Sequence, residues 1–225
     1  MNLKLIEYIK TKKVITKSDI KKIIQCKDNY AYLVIQRLLK RKILKKIFKG
    51  KYTTLDNPIL FASEIEIPAY ISLLTASQLK GFTEQIINNI QIITTKNKSV
   101  IFNKYKISLI KNKKIFGYEK TNEYFIATNE KLLIDMILLR NKSGNFTEII
   151  KIIKNAEINE TKMIKFLKEI NNYSLIKRIG FLLEHFKGID IYKKFQLDNN
   201  YVYLDQLIKT GKLKNTKWRI KYDFN

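Results

Sequence analysis

Apolar residues recur every three or four positions through the first forty residues and set out three helices. Leu3, Leu5, Ile6 and Ile9 form a stripe behind Asn2, a candidate N-cap. Ile20, Ile23 and Ile24 follow Thr16-Lys17-Ser18-Asp19, a capping box with a short acid at its third position. A tight turn over 26–28 leads into a third helix over 28–42, capped at Asp28, whose Ala31, Val34, Ile35, Leu38 and Leu39 share one face. The period then shortens. Segments 43–48 and 51–55 flank Lys49-Gly50 as the arms of a hairpin, with the glycine supplying the turn dihedrals. Three helices and a hairpin in this order are the elements of a winged helix.

Asp56-Asn57-Pro58 interrupts the pattern, because the residue before proline avoids the helical region, and it divides the chain into expected domains 1–58 and 59–225. In the second, Ser72 caps a helix through Leu73, Leu74, Ala76 and Leu79 that ends at Gly81. Segments 90–95, 99–110, 114–118 and 123–127 are rich in β-branched and aromatic residues and predict an antiparallel sheet with short polar turns. Thr128 caps a helix over 129–140, and helical spacing returns over 146–153, 160–170 and 175–186, with Asn159 and Gly188 as end signals. Trp218, Ile220, Tyr222 and Phe224 alternate with Arg219, Lys221 and Asp223, the mark of a half-buried strand. The expected class is α+β: an N-terminal winged helix-turn-helix domain, then a larger mixed domain with a mainly antiparallel sheet and several helices.

Charge changes the picture from fold to partner. Lys+Arg number 44 against 20 Asp+Glu, a formal net charge of +24, which predicts a polyanionic partner. Lysine, asparagine, isoleucine and tyrosine are also what AT-rich codons specify, so distribution matters more than total. Residues 1–60 hold 16 Lys+Arg against 4 Asp+Glu, and the remaining 165 hold 28 against 16, so charge is densest where the winged helix is expected. On the polar side of the third helix lie Asn29, Tyr30, Gln36, Arg37, Lys40 and Arg41, and on the hairpin Lys45, Lys46, Lys49 and Lys51. These ten residues form the candidate surface for double-stranded DNA, the helix reading bases and the lysines neutralising phosphates. Leu33, also on that side, touches a thymine methyl or sits in solvent. The competing view, a solvated surface of a protein-binding module, explains neither the local charge density nor the order of elements. A second cationic cluster, Lys209, Lys212, Lys214, Lys217, Arg219 and Lys221, is either a phosphate contact or the polar face of a strand.

A lone Cys26 allows no internal disulfide, which fits a reducing cytoplasm, and a lone His185 is too little for a metal cluster. Neither a signal peptide nor a membrane anchor is expected, since Glu7, Lys10, Lys12 and Lys13 break the N-terminal apolar stretch. Glu130 and Asp135 stand about 140 degrees apart on their helix, too far for shared acid-base work. A dipole role for Glu130 and an ion pair of Asp135 with Lys131 explain them better. No phosphate loop, paired cysteines or nucleophile elbow is present, so no catalytic residue, metal or cofactor is expected.

Three stretches resemble a known family. Ile67-Pro68-Ala69-Tyr70-Ile71-Ser72-Leu73, followed by Ala76 and Gly81-Phe82, is similar to a motif of the AbiEi-type antitoxins, regulators of type IV toxin-antitoxin systems. Ala127-Thr128-Asn129-Glu130-Lys131-Leu132-Leu133-Ile134-Asp135 resembles the second motif of that family, with Asn129 in place of its proline. The tail 201–218, with Leu204-Asp205, Gly211 and Trp218-Arg219, is similar as well. The resemblance implies an N-terminal domain that represses its own operon at inverted repeats in the promoter, and a C-terminal domain needed to counter a nucleotidyltransferase-like toxin in the same cell. With no heptad seam in the sequence, a monomer in solution is expected. Two other readings stay open: a plain winged-helix repressor with a ligand-sensing domain, and a nucleic-acid-processing enzyme or accessory subunit.

Overall fold

The computed structural model describes residues 3–86 and 88–223. The chain begins with helix α1 (Leu3–Thr11), strand β1 (Ile15–Thr16), helices α2 (Lys17–Ile24) and α3 (Asp28–Lys40), and strands β2 (Lys45–Phe48) and β3 (Lys51–Thr53). Then come α4 (Ile59–Ala62), β4 (Ala69–Ile71), α5 (Leu73–Leu79), β5 (Asn89–Thr94), β6 (Lys98–Phe102), β7 (Tyr105–Lys111), β8 (Tyr118–Lys120) and β9 (Phe125–Ala127). The C-terminal part holds α6 (Asn129–Leu138), α7 (Phe146–Asn155), α8 (Glu160–Ile170), α9 (Tyr173–Lys187), β10 (Val202–Tyr203), β11 (Leu213–Asn215) and β12 (Ile220–Tyr222). The protein is α+β, and most of its strand pairs are antiparallel. It divides into two compact units: Met1–Ile71 with Asn88–Ile115 and Lys120–Ile126, and Ser72–Ile87 with Phe116–Glu119 and Ala127–Asn225. The expected boundary at Asp56-Asn57-Pro58 falls inside the first unit, because strands β5 to β7 gather with the N-terminal segment.

In the first unit the amphipathic stripes meet. Leu5 and Ile9 of α1, Ile20 of α2, and Ala31, Ile35 and Leu38 of α3 close on Ile15, Leu44 and Tyr52. Thr16 and Asp19 form the expected capping box: the Thr16 hydroxyl accepts from the Asp19 N–H, and the Asp19 carboxylate accepts from the Thr16 N–H. Asp28 departs from its expected role. Lys27 occupies the N-cap position of α3 without a side-chain cap, and Asp28 is the first helical residue. Strand β1 has no signal in the sequence, being only two residues long; it pairs with β3 through Ile15 and Tyr52, giving the order β1-β3-β2. The hairpin turns at Gly50, whose φ of 83° is open to glycine, and an irregularity between Lys46 and Phe48 shifts its register. Asn2 and Phe224, expected in the first helix and last strand, lie outside the described residues.

The six-stranded sheet runs β6-β7-β5-β4-β9-β8. The single strand expected over 99–110 is instead two, β6 and β7, forming a hairpin that turns at Asn103; β7 inserts beside β5 in parallel, and β4 pairs with β9 in parallel. Strand β5 is buried from Ile90 to Thr94, as expected of a strand flanked on both sides. The expected strand over 114–118 begins instead at Tyr118, just after Gly117 at φ 70°.

In the second unit α6 is buried from Glu130 to Ile137. Lys131 and Asp135 form a fully buried ion pair along one turn, and the Ser72 hydroxyl donates to the other Asp135 oxygen at 2.9 Å. Ser72 therefore stands at the N-cap position of α5 but makes no cap with its side chain. Glu130 accepts from the Asn159 N–H at 2.8 Å. Helix α6 stops at Leu138, two residues short of expectation. Arg140 lies in a 3-10 turn and grips Asp205 with two bonds, Nε at 3.1 Å and Nη2 at 2.8 Å. Helix α9 presents Gly180 to the Trp218 indole, which leaves no room for a Cβ there.

Candidate nucleic-acid interface

The turn between α2 and α3 fixes the direction of α3. Gln25 ends α2 in the left-handed region at φ 50°, and the Asp28 carboxylate then accepts from Lys17 at 2.7 Å and Lys21 at 2.8 Å, both on α2. These lysines, Lys17 first, hold the Asp28 carboxyl down at about 2. With Ala31, Ile35 and Leu38 buried, the opposite side of α3 must face outward. Asn29, Tyr30, Gln36, Arg37, Lys40 and Arg41 are all exposed, as are Tyr32 and Leu33 at 54% and 50%.

The structure divides this set in two. Asn29, Gln36 and Lys40 project from the middle of the outward face. Tyr30, Arg37 and Arg41 turn to one flank, where with Leu5 and Ile24 they line a cleft of about 350 Å³.

The hairpin lysines divide as well. Lys45 pairs with Asp56, while Lys51 donates to the Ile65 carbonyl and lies 3.3 Å from Glu66. Glu66 also accepts from Lys96 at 2.8 Å; burial opposes its ionisation, but the two lysines hold its carboxyl below the ordinary value. Among the described residues Lys46 and Lys49 carry no ion pair, and both are exposed. One cation absent from the sequence-derived set joins the hairpin: Lys98, at the start of β6, places its ammonium 3.5 Å from the centroid of the Phe48 ring. It lies fifty positions from Phe48, and no local pattern connects the two. The interface thus offers a polar helix face and a hairpin whose uncompensated charge is at Lys46 and Lys49, a pairing suited to base edges and phosphates respectively.

Among the described residues no group of three or more His, Cys, Asp or Glu side chains is arranged to hold a metal ion, and no helix is long and apolar enough to cross a membrane. No family model matches the chain, and comparison with curated proteins gives no match. Among solved structures, the crystal structure of the RV2827C protein from Mycobacterium tuberculosis is similar, with a TM-score of 0.66 over 98% of this chain and 90% of that one, at 12% identity. A likeness at that identity concerns the fold.

Proposed function

We propose that the N-terminal segment is a winged helix that binds double-stranded DNA, and that the chain is a transcriptional regulator of the AbiEi type, the antitoxin of a type IV toxin-antitoxin pair. The observation that carries the DNA reading is the exposed polar face of α3 beside a hairpin with unpaired lysines at Lys46 and Lys49. The order α1-β1-α2-α3-β2-β3, with β1 added to the hairpin sheet, supports it.

The antitoxin reading rests on the three motifs, each of which contributes a side chain to the polar contacts of the second unit. Ser72 of the first motif donates to Asp135 of the second, Asp135 pairs with Lys131, and Asp205 of the third takes Arg140. These residues build the interior, which explains why their identities matter to the fold. In this reading the chain works in the cytoplasm as a monomer, pairs on inverted repeats in its own promoter and counters a nucleotidyltransferase-like toxin. Neither a catalytic residue nor a cofactor takes part.

Two assays test the proposal. Titration of the protein against its promoter duplex and a scrambled duplex is expected to favour the promoter by at least a thousandfold at physiological salt. Equal affinity for both would refute a sequence-specific regulator. Co-expression with the neighbouring gene, driven from an unrelated promoter, separates an antitoxin from a plain repressor: growth rescue is expected, and its failure would leave only repression.

A further inference from the structure

The C-terminal sheet, ordered β10-β12-β11, has one face inside and one outside. Trp218, Ile220 and Leu204 are buried on the inner side, where Tyr222 packs on Phe181 at 4.8 Å. The other face carries a different chemistry. Tyr203 is opposite Lys221 in register, and Lys214 is opposite Lys221 from the other side. Their contacts form a ladder: Lys214 and Arg219 lie 5.9 and 5.6 Å from the Tyr201 ring centroid, and Lys221 lies 5.3 Å from that of Tyr203. Both rings, Arg219 and Lys221 are partly exposed, and Lys214 is exposed.

Carboxylates near this face are engaged elsewhere. Glu184 and Asp190 bind Lys217, Asp198 binds Lys177, Asp205 binds Arg140, and Asp223 accepts from the Lys212 N–H at 2.7 Å. Tyr201 immediately precedes β10 and Tyr203 ends it, and at the rise of an extended chain rings two residues apart are separated by about 6.6 Å. Bases stacked in a duplex rise by only ~3.4 Å and hide their faces, whereas a single strand can splay its bases by the larger step and lay them on rings. Cations over and between the rings then meet the phosphates.

The geometry points to this face as a binding site for single-stranded nucleic acid, with Tyr201 and Tyr203 as stacking platforms and Lys214, Arg219 and Lys221 as phosphate contacts. It uses none of the α3 residues and does not depend on the antitoxin reading.

The test uses the full chain and fluorescein-labelled oligo(U) and oligo(dT) of about ten nucleotides, with a duplex of equal length as comparison. Tyr201→Ala and Tyr203→Ala are each expected to weaken single-strand binding about tenfold, while Tyr201→Phe and Tyr203→Phe stay within about twofold because the ring is kept. Duplex affinity is unchanged in all four. Lys214→Glu, an exposed change on an edge strand, is expected to cost about tenfold in single-strand binding, and Trp218 emission reports that each variant is folded. Lys46→Ala with Lys49→Ala lowers duplex binding and spares the single strand. Alanine variants that bind single strands as wild type does, or phenylalanine variants that lose as much as alanine, would overturn the proposal. So would a Lys214→Glu protein that loses only duplex binding.

Discussion

The four hairpin lysines look equivalent in the sequence, and the structure predicts that they act unequally. Lys45 is paired with Asp56 and Lys51 with Glu66, a carboxylate that Lys96 shares, whereas Lys46 and Lys49 face solvent. A lysine that releases a counterion from DNA contributes about 0.9 to the slope of log affinity against log salt. Removing Lys46 and Lys49 together is therefore expected to flatten that slope by about 1.8. Between about 50 and 200 mM salt, a fourfold range, the wild type then loses roughly twelvefold more affinity than the double variant. Removing Lys45 and Lys51 takes away charges that are already compensated, and the slope is expected to change by less than half as much. The Lys45–Asp56 pair is exposed at Asp56 and worth up to ~1 kcal/mol, so its loss changes stability little, whereas the Lys51–Glu66 pair is partly buried and its loss also lowers stability. The assay is fluorescence anisotropy on promoter and random duplex at four or more salt concentrations, and both duplexes are expected to weaken alike. Equal flattening by the two double variants, or an unchanged slope after loss of Lys46 and Lys49, would refute the division drawn from the ion pairs.

Three further outcomes are expected. Gln36→Ala, on the outward centre of α3, relaxes preference at one base position by about 1 to 3 kcal/mol, whereas Arg41→Ala, on the cleft flank, changes overall affinity without changing the preferred base; a panel of single-base operator variants reads both. Asp135→Ala removes the carboxylate from the buried Lys131 ammonium and is expected to cost about 3 to 5 kcal/mol in urea unfolding, with Ser72→Ala costing about 1 to 3 kcal/mol for the lost hydrogen bond. For Asp28, the folded value lies below the ordinary 3.8, so its contribution to stability is present above that value and is lost as pH falls through about 2. A carboxyl resonance titrating near 2 that returns toward 3.8 in Lys17→Ala/Lys21→Ala would show it, and an unchanged midpoint in that variant would exclude the two lysines as the cause.

What the chain determines by itself is local. Helix stripes, the Thr16, Thr128 and Asn159 caps, the glycine after α9 and the turn at Gly50 are legible because each depends on residues within one or two turns of one another. The polar face of α3 is legible for the same reason: a helical period and a buried stripe leave only one direction for Asn29, Gln36 and Lys40. Partners distant in sequence are a different matter. Nothing near Ile15 announces its pairing with Tyr52, and nothing in an alternating run distinguishes the parallel β5–β7 pair from an antiparallel neighbour, since both bury the same residues. Tertiary structure alone decides that Asp56 and Glu66 silence two of four lysines, that Lys98 stands over Phe48, and that Asp28 ties α3 to α2 instead of capping it. It also decides that Tyr201 and Tyr203 share a sheet face with Lys214, Arg219 and Lys221, because β10 reaches that face only by pairing with β12 across an intervening strand and turn. Charge acts through space: its sign is written in the sequence, but which charges remain uncompensated depends on which side chains the folded chain brings within a few ångströms.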